Sequence, residues 1–146
     1  AEAAAAMIMC IFRTEPATYV MGFADRLRPL PITPQMRLAD VLRVTAINNF
    51  GGTDCGLPMS HAQQAQLDVD TFIVFTDNET YAGRVHPSVP LKNYRQARGI
   101  AARQAVCGMA ASPFTIADPK DPLTMDFVGL DAALPGLLTD FSAGRL

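Results

Sequence analysis

The stretch Val69-Asp-Thr-Phe-Ile-Val-Phe-Thr76 decides how the rest of the sequence is interpreted. Its centre is apolar or β-branched on both faces. Such a pattern is typical of a strand inside a parallel sheet, because helices cover both sides of that kind of sheet. The polar run Asp77-Asn-Glu-Thr80 follows directly and ends the strand. The stretch therefore predicts a buried strand of an α/β fold.

Helices and strands are predicted to alternate along the chain. Helices are expected over 3–13, 36–47, 55–66, 88–99 and 132–141, strands over 18–24, 69–76, 104–109 and 114–117, and an edge strand or loop over 27–34. This alternation predicts a doubly wound, mostly parallel sheet flanked by helices. The chain has 146 residues, 49% of them apolar, which suits a single domain over 1–146.

Composition narrows the class of function. A formal net charge of −2 argues against a protein that coats nucleic acids generally, since such proteins are usually strongly basic. The sequence has no apolar run of the length that a transmembrane helix needs, so no membrane partner is expected. Three cysteines without close spacing argue against a disulfide framework. They favour a reducing compartment and thus a cytoplasmic location.

Positive charge is concentrated in one part of the sequence. The segment 80–117 contains no acidic residue, whereas it contains several arginines and a lysine. In the helix predicted over 88–99, Lys92, Arg95 and Arg98 follow one another at three-residue intervals and are expected to form one stripe. This stripe is either a solvated helix face or a surface that contacts phosphate groups, and the sequence leaves both interpretations open.

Two polar segments are candidates for a metal site. Thr53 and Asp54 lead into a predicted helix, and Asp77 follows the predicted central strand. In an open α/β sheet, ligands bind beyond the carboxyl ends of the strands, where such loops meet. The hydroxyl of Thr53 and the carboxylate of Asp77 are oxygen ligands of the kind that Mg²⁺ takes. The alternative is purely structural, because Thr53 and Asp54 also suit a helix cap and Asp77 an Asx turn.

Enzymatic function is not expected. The sequence contains no G-x-S-x-G, no P-loop lysine motif and no H-E-x-x-H. Cys55 lies at a predicted helix start, where a lowered thiol pKa would favour a nucleophile. However, a buried structural role is the commoner one for such a cysteine. No histidine is placed by the sequence to activate it.

Several runs together resemble one known family. These are FIVFTDNETYAG at 72–83, VCGM at 106–109 and FTIADP at 114–119, with RTEP at 13–16 and GGTDC at 51–55 upstream. In this order they closely resemble the C-terminal domain of the Ro (TROVE) ribonucleoproteins. That resemblance implies a von Willebrand factor A module, in agreement with the doubly wound sheet.

In that module a divalent-metal adhesion site is assembled from three loops. Thr53 matches the threonine of the second loop and Asp77 the aspartate of the third, which implies Mg²⁺ or another divalent cation. The D-x-S-x-S of the first loop does not occur in the chain. The resemblance therefore implies a domain that is incomplete at the N-terminus and lacks its first strand. It also implies two unpaired strand edges and a weak metal site.

The same resemblance gives the expected function. Family members bind noncoding RNAs, among them Y RNAs and misfolded RNAs, through a helical-repeat ring that this chain does not contain. The chain is expected to be part of such a ribonucleoprotein, with RNA and RNA-processing proteins as partners. Lys92, Arg95 and Arg98 are the candidate RNA contacts. The alternative is a metal-dependent protein-interaction module that does not touch RNA.

Overall fold

The computed structural model of the chain describes residues 2–15, 17–23, 27–47, 56–76, 88–108, 120–128 and 133–145. In chain order the helices and strands are α1 Glu2–Thr14, β1 Met21–Phe23, β2 Leu27–Pro29, α2 Leu38–Ile47, α3 Leu57–Gln64, β3 Thr71–Thr76, α4 Ser88–Arg98, β4 Arg103–Gly108, β5 Thr124–Val128 and α5 Leu134–Ser142. Within these ranges, no helix is long and apolar enough to cross a membrane.

Strands β3, β4 and β5 form a parallel sheet with β4 in the centre. Thr71 lies opposite Arg103, and Gln104 lies opposite Thr124. The side chains of residues 104–107 are all buried, as expected for a strand that has neighbours on both edges and helices on both faces. The prediction of an α/β fold with a parallel sheet flanked by helices is therefore confirmed.

Helices α3 and α4 cover one face of this sheet. Their apolar side chains form a core cluster with the sheet, made of Met59, Ala62, Phe72, Leu91, Tyr94 and Ala102. Tyr94 is fully buried and packs edge-on against Phe72, with ring centroids 5.1 Å apart. Its hydroxyl donates to the carbonyl of Leu67 at 2.5 Å and accepts the N–H of Val69 at 2.7 Å. The hydroxyl therefore fixes the connection that leads into β3.

Helix α5 and part of α1 cover the other face. Ala105 and Cys107 of β4 pack there against Leu134, Leu138 and Phe141 of α5, with Met7 and Ile11 of α1 at the margin. Arg103 places its guanidinium carbon 5.8 Å from the centre of the Phe141 ring. The two faces of the sheet thus pack into two separate core clusters.

Strands β1 and β2 form a second, antiparallel sheet. It is associated with a third core cluster, in which Ala5 and Met9 of α1 meet Ile32 and Val41. Helix α1 consequently contacts both halves of the molecule, since its other stripe packs beside α5. Among the described strands, the two sheets are not hydrogen-bonded to each other.

Some element boundaries differ from those predicted. Strand β1 is shorter than the predicted 18–24, and the segment predicted as edge strand or loop does contain a strand, β2. Helix α2 begins at Leu38 rather than at residue 36. A turn comes first, in which the N–H of Met36 donates to the carbonyl of Thr33 at 3.1 Å.

Strand β5 was not predicted from the sequence. Met125 and Phe127 pack against the core cluster beside α5, whereas Asp126 between them is exposed. The strand is therefore of the alternating type, with a charged residue on its outer face, and it lacks the continuous apolar run that marks β3. The strand that was predicted over 114–117 lies outside the described residues.

Candidate metal and nucleic-acid sites

The two predicted metal ligands, Thr53 and Asp77, lie outside the described residues. Their neighbours along the chain are described: β3 ends at Thr76, and α3 begins at Leu57. In sequence, Asp77 is thus the residue after the carboxyl end of a parallel strand, the position that the metal hypothesis requires. In the part of the chain that the structure does describe, no three or more His, Cys, Asp or Glu side chains are grouped as metal ligands would be. The metal site stays a prediction.

The candidate nucleophile Cys55 also lies outside the described residues. Of the other cysteines, Cys10 is exposed and Cys107 is buried in β4, and both are free thiols. Burial raises the pKa of the Cys107 thiol from its ordinary value of 9.0 to about 12, because loss of solvation disfavours the thiolate. Cys107 therefore serves packing and is no candidate for nucleophilic chemistry at neutral pH.

Arg95 of the predicted basic stripe is held by two segments that lead into strands. Its Nε donates to the carbonyl of Ala102 at 2.9 Å, and its Nη1 donates to Oδ2 of Asp121 at 2.5 Å. The side chains of Arg95 and Asp121 are only 18% and 12% exposed. Oδ1 of Asp121 also accepts the N–H of Leu123 at 2.9 Å. Arg95 thus links α4 to the starts of β4 and β5, and little of its charge faces solvent.

The other two stripe residues differ from Arg95 and from each other. Nη2 of Arg98 donates to Oδ1 of Asp68 at 2.5 Å, and the arginine side chain is 25% exposed. Lys92, by contrast, is exposed. The structure therefore does not present three equivalent cations on one exposed stripe, because carboxylates neutralise two of them. RNA contact by these residues stays a prediction, with Lys92 as its most accessible member.

Helix geometry explains this divergence. Steps of three residues on a helix with about 3.6 residues per turn drift by roughly 60° each. Pro90, Leu91 and Tyr94 form the buried face of α4. Lys92 lies on the side opposite to that face, whereas Arg95 and Arg98 lie nearer to it. The partners Asp68 and Asp121 are 30 and 26 residues away from their arginines. Because the partners are so far apart along the chain, the local sequence around each arginine does not indicate its carboxylate partner.

The two arginines with carboxylate partners lie at one edge of the parallel sheet. Helix α4 joins two parallel neighbouring strands, so it runs back towards their amino ends. Asp68 and Asp121 accordingly precede β3 and β5, at the amino edge of the sheet. The carboxyl end of β3 lies at the opposite edge of the sheet, roughly 20 Å away at about 3.3 Å per strand residue. The arginines of the stripe therefore lie at the edge of the sheet opposite to the one at which the metal hypothesis expects its ligands.

An exposed aromatic residue was missed as a candidate. The side chain of Tyr19 is 61% exposed, although the sequence pattern indicated only a strand former at this position. The neighbouring Val20 packs against the core cluster beneath α1 and α2, and alternation along an extended chain turns Tyr19 the other way. The sequence signal for an exposed tyrosine was its position next to the apolar, β-branched Val20, with Arg13 upstream.

Comparison with known families gives one clear result. The sequence profile described as the Ro60 vWA domain matches residues 1–142. A crystal structure of the Deinococcus radiodurans RO (RSR) protein superimposes with a TM-score of 0.89 at 48% identity, over 99% of this chain and 29% of that chain. At 48% identity, this similarity shows both the fold and the family.

Two proteins with related sequences carry the name RNA-binding protein RO60. The one from Deinococcus radiodurans is 49% identical over 144 residues, which is 99% of this chain and 27% of the relative. The one from Caenorhabditis elegans is 38% identical over 146 residues, which is 99% of this chain and 23% of the relative. The chain thus spans about a quarter of the length of these relatives.

Proposed function

This chain belongs to the Ro60 vWA domain family, and we propose that it functions as part of a ribonucleoprotein that binds noncoding RNA. The observation that carries the proposal is the match along nearly the whole chain to relatives named as RNA-binding proteins. Y RNAs and misfolded noncoding RNAs are the proposed ligands within this class. The proposed role is non-enzymatic. The proposed location is the cytoplasm, which the free thiols of Cys10 and Cys107 support.

The experiment is a salt titration of RNA binding. A fluorescently labelled hairpin RNA with a single-stranded 3′ tail is mixed with the chain, and anisotropy is recorded at increasing salt concentrations. The proposal expects binding that weakens linearly on a logarithmic scale, because contacts to phosphates release counterions. Binding that is absent at low salt, or independent of salt, would contradict an RNA-binding role for this chain.

Within α4, Lys92 is the residue expected to contact RNA most directly. Lys92→Gln removes an exposed charge and is expected to reduce the salt slope, whereas Arg98→Gln removes a cation that Asp68 already neutralises. Arg98→Gln is thus the matched control for the same loss of formal charge. An equal reduction by both variants would mean that the ion pair opens when RNA binds.

We also propose that Thr53 and Asp77 contribute oxygen ligands to a divalent-cation site, with Mg²⁺ as the expected ion. The chemistry of the pair supports this, since hard cations take hydroxyl and carboxylate oxygens and keep several waters. Two protein ligands make a weak site. Calorimetry with Mn²⁺ on this chain, on Asp77→Ala and on a version with a D-x-S-x-S strand added upstream tests the proposal. The added loop should strengthen binding, and equal heats for all three proteins would contradict it.

The second candidate function is a protein-interaction module that binds an acidic group of a partner through the metal. The ion pairs of Arg95 and Arg98 favour this candidate, because they reduce the positive charge that the chain can offer to RNA. In this case partner binding should be lost in EDTA and restored by Mg²⁺. Binding of a partner that is indifferent to the chelator would exclude it.

A further inference from the structure

Three segments of the chain meet where α1 ends and the chain turns towards β1. Nε and Nη2 of Arg13, in the last turn of α1, donate to the carbonyls of Pro34 and Met36 at 2.9 and 2.8 Å. The hydroxyl of Thr18 donates to the carbonyl of Glu15 at 3.0 Å and closes the turn between α1 and Tyr19. These hydrogen bonds hold the end of α1, the entry to β1 and the segment after β2 against one another.

The hydrogen bonding of the hairpin extends as far as Val20, the residue that follows Tyr19. The N–H of Leu30 donates to the carbonyl of Val20 at 3.2 Å, which continues the pairing of β1 with β2 by one residue beyond Met21. Tyr19 directly precedes the last paired residue of one strand, and the segment 31–37, which ends in Arg37, directly follows the last paired residue of the other. The side chains of Arg13 and Arg37 are both exposed, as Tyr19 is. We call these three residues the Tyr19 surface.

The chemistry of this surface favours one class of ligand. An exposed tyrosine ring offers a platform on which a nucleobase stacks without regard to its identity. Arginine guanidinium groups contact phosphates, often through two hydrogen bonds. The guanidinium of Arg13 is already fixed in place by two backbone carbonyls, so less conformational freedom is lost when a phosphate binds. An aromatic ring combined with arginines is the pattern with which proteins bind unpaired nucleotides.

We propose that the Tyr19 surface binds single-stranded RNA, with one base stacked on Tyr19 and the flanking phosphates held by Arg13 and Arg37. The inference rests on the RNA-binding function proposed above and gives that function a specific surface, separate from α4. Glu15 is exposed in the same turn, and its negative charge opposes the ligand. Loss of a cation on this surface should therefore weaken RNA binding, whereas loss of the Glu15 carboxylate should strengthen it.

The test is anisotropy of a fluorescein-labelled 12-nucleotide oligouridine with the unaltered chain and single variants. Tyr19→Ala is expected to weaken binding about tenfold, whereas Tyr19→Phe keeps the ring and changes it less than about twofold. Arg37→Gln should weaken binding and reduce the salt slope by about 0.7. Glu15→Gln should strengthen it. Lys92→Gln, the same loss of charge on α4, should cost less than Arg37→Gln.

A second probe separates stacking from charge. For an oligonucleotide of the same length without bases, Tyr19→Ala should have no effect, while Arg37→Gln should still weaken binding. Thermal melting of each variant confirms that the exposed positions leave the fold intact. Competition by polyglutamate as effective as that by oligouridine would overturn the proposal in favour of an acidic protein partner.

The outcomes distinguish this surface from the function on which it rests. If the unaltered chain binds oligouridine and every variant binds equally well, the Tyr19 surface is wrong and the RNA-binding function stands. If Lys92→Gln is the more damaging variant, the contact lies on α4 and the surface is again wrong. If the unaltered chain binds neither oligouridine nor the hairpin RNA, the Tyr19 surface is overturned together with direct RNA binding by this chain.

Discussion

Arg95 and Asp121 are joined by a hydrogen-bonded ion pair of 2.5 Å, although 26 residues separate them in the sequence. The pair is largely shielded from solvent, and each partner has further hydrogen bonds to backbone groups. Those bonds lie at the start of β4, through Ala102, and in the turn before β5, through Leu123. A single arginine of α4 thus links this helix to the starts of two neighbouring strands.

Arg95→Met is expected to destabilise the chain by about 3–5 kcal/mol, because Asp121 is left as a shielded charge without its partner. Urea unfolding followed by circular dichroism measures the change in the free energy of unfolding. Adding Asp121→Asn to Arg95→Met should recover a large part of the loss. The amide removes the uncompensated charge and still accepts the N–H of Leu123.

Arg98→Met provides the control for Arg95. Its partner Asp68 is 75% exposed, and ion pairs of this kind contribute about 0–1 kcal/mol. A loss for Arg95→Met as small as that for Arg98→Met would show that the pair with Asp121 is solvated and does not organise the strands.

Tyr94→Phe is expected to cost about 1–3 kcal/mol, because it leaves the carbonyl of Leu67 and the N–H of Val69 without the partner that the hydroxyl supplies. The change keeps the ring and its contact with Phe72. Tyr19→Phe is the matched control, since that side chain is exposed and should lose less than about 0.5 kcal/mol. Chemical denaturation compares the two variants, and equal stabilities would contradict the structural role of the Tyr94 hydroxyl.

Elements of the fold could be predicted where the local sequence has a clear apolar pattern or a signal for a helix end. Strand β3 has a continuous apolar run. Helix α4 was predicted from a start signal at Ser88 and from Gly99, the glycine that follows it. Strand β5 was not predicted because its exposed Asp126 interrupts the apolar pattern. Its identity as a strand depends on pairing with β4, which is a property of the tertiary structure and not of the five residues themselves.

The sites were less predictable than the fold for a related reason. The helix predicted over 88–99 placed Lys92, Arg95 and Arg98 on α4, but their spacing contained no information on Asp68 or Asp121. Whether a cation is free or neutralised depends on residues that the sheet brings near it. Thr53 and Asp77 were assigned through a family resemblance, and their geometry lies outside the described residues.

Stability should decrease at alkaline pH because of Cys107. Burial raises the pKa of this thiol to about 12 from an ordinary 9.0, so between these values the unfolded chain loses a proton that the folded chain keeps. Folding is therefore disfavoured progressively as pH rises from about 9 to 12. Cys107→Ala should flatten the dependence of the urea midpoint on pH in this range. A similarly steep decrease in the variant would assign the effect to other groups.

Helix α3 ends at a residue with a left-handed backbone conformation. Gln66 has a positive φ of 56°, and it lies between two hydrogen bonds that close the helix. Its own N–H donates to the carbonyl of Gln63 at 3.3 Å, and the next N–H, of Leu67, donates to Ala62 at 2.9 Å. This is a Schellman motif, in which the left-handed position favours glycine because a side chain there is strained.

Helix α5 ends with the same motif and does have glycine at that position. The N–H of Gly144, with φ 76°, donates to Phe141 at 3.1 Å, and that of Arg145 to Asp140 at 2.8 Å. Gln66→Gly is therefore expected to stabilise the chain by about 0.5–1 kcal/mol, since relief of strain exceeds the added freedom of the unfolded state.

Gly144→Ala is the reciprocal variant and should destabilise the chain by about 1–2 kcal/mol. Its new Cβ would also lie 3.1 Å from Nη2 of Arg103, whose side chain would have to move. Thermal unfolding of both variants measures the two effects in one experiment. A decrease in melting temperature for Gln66→Gly would mean that the glutamine side chain makes a compensating contact, and it would contradict the assignment of strain to this residue.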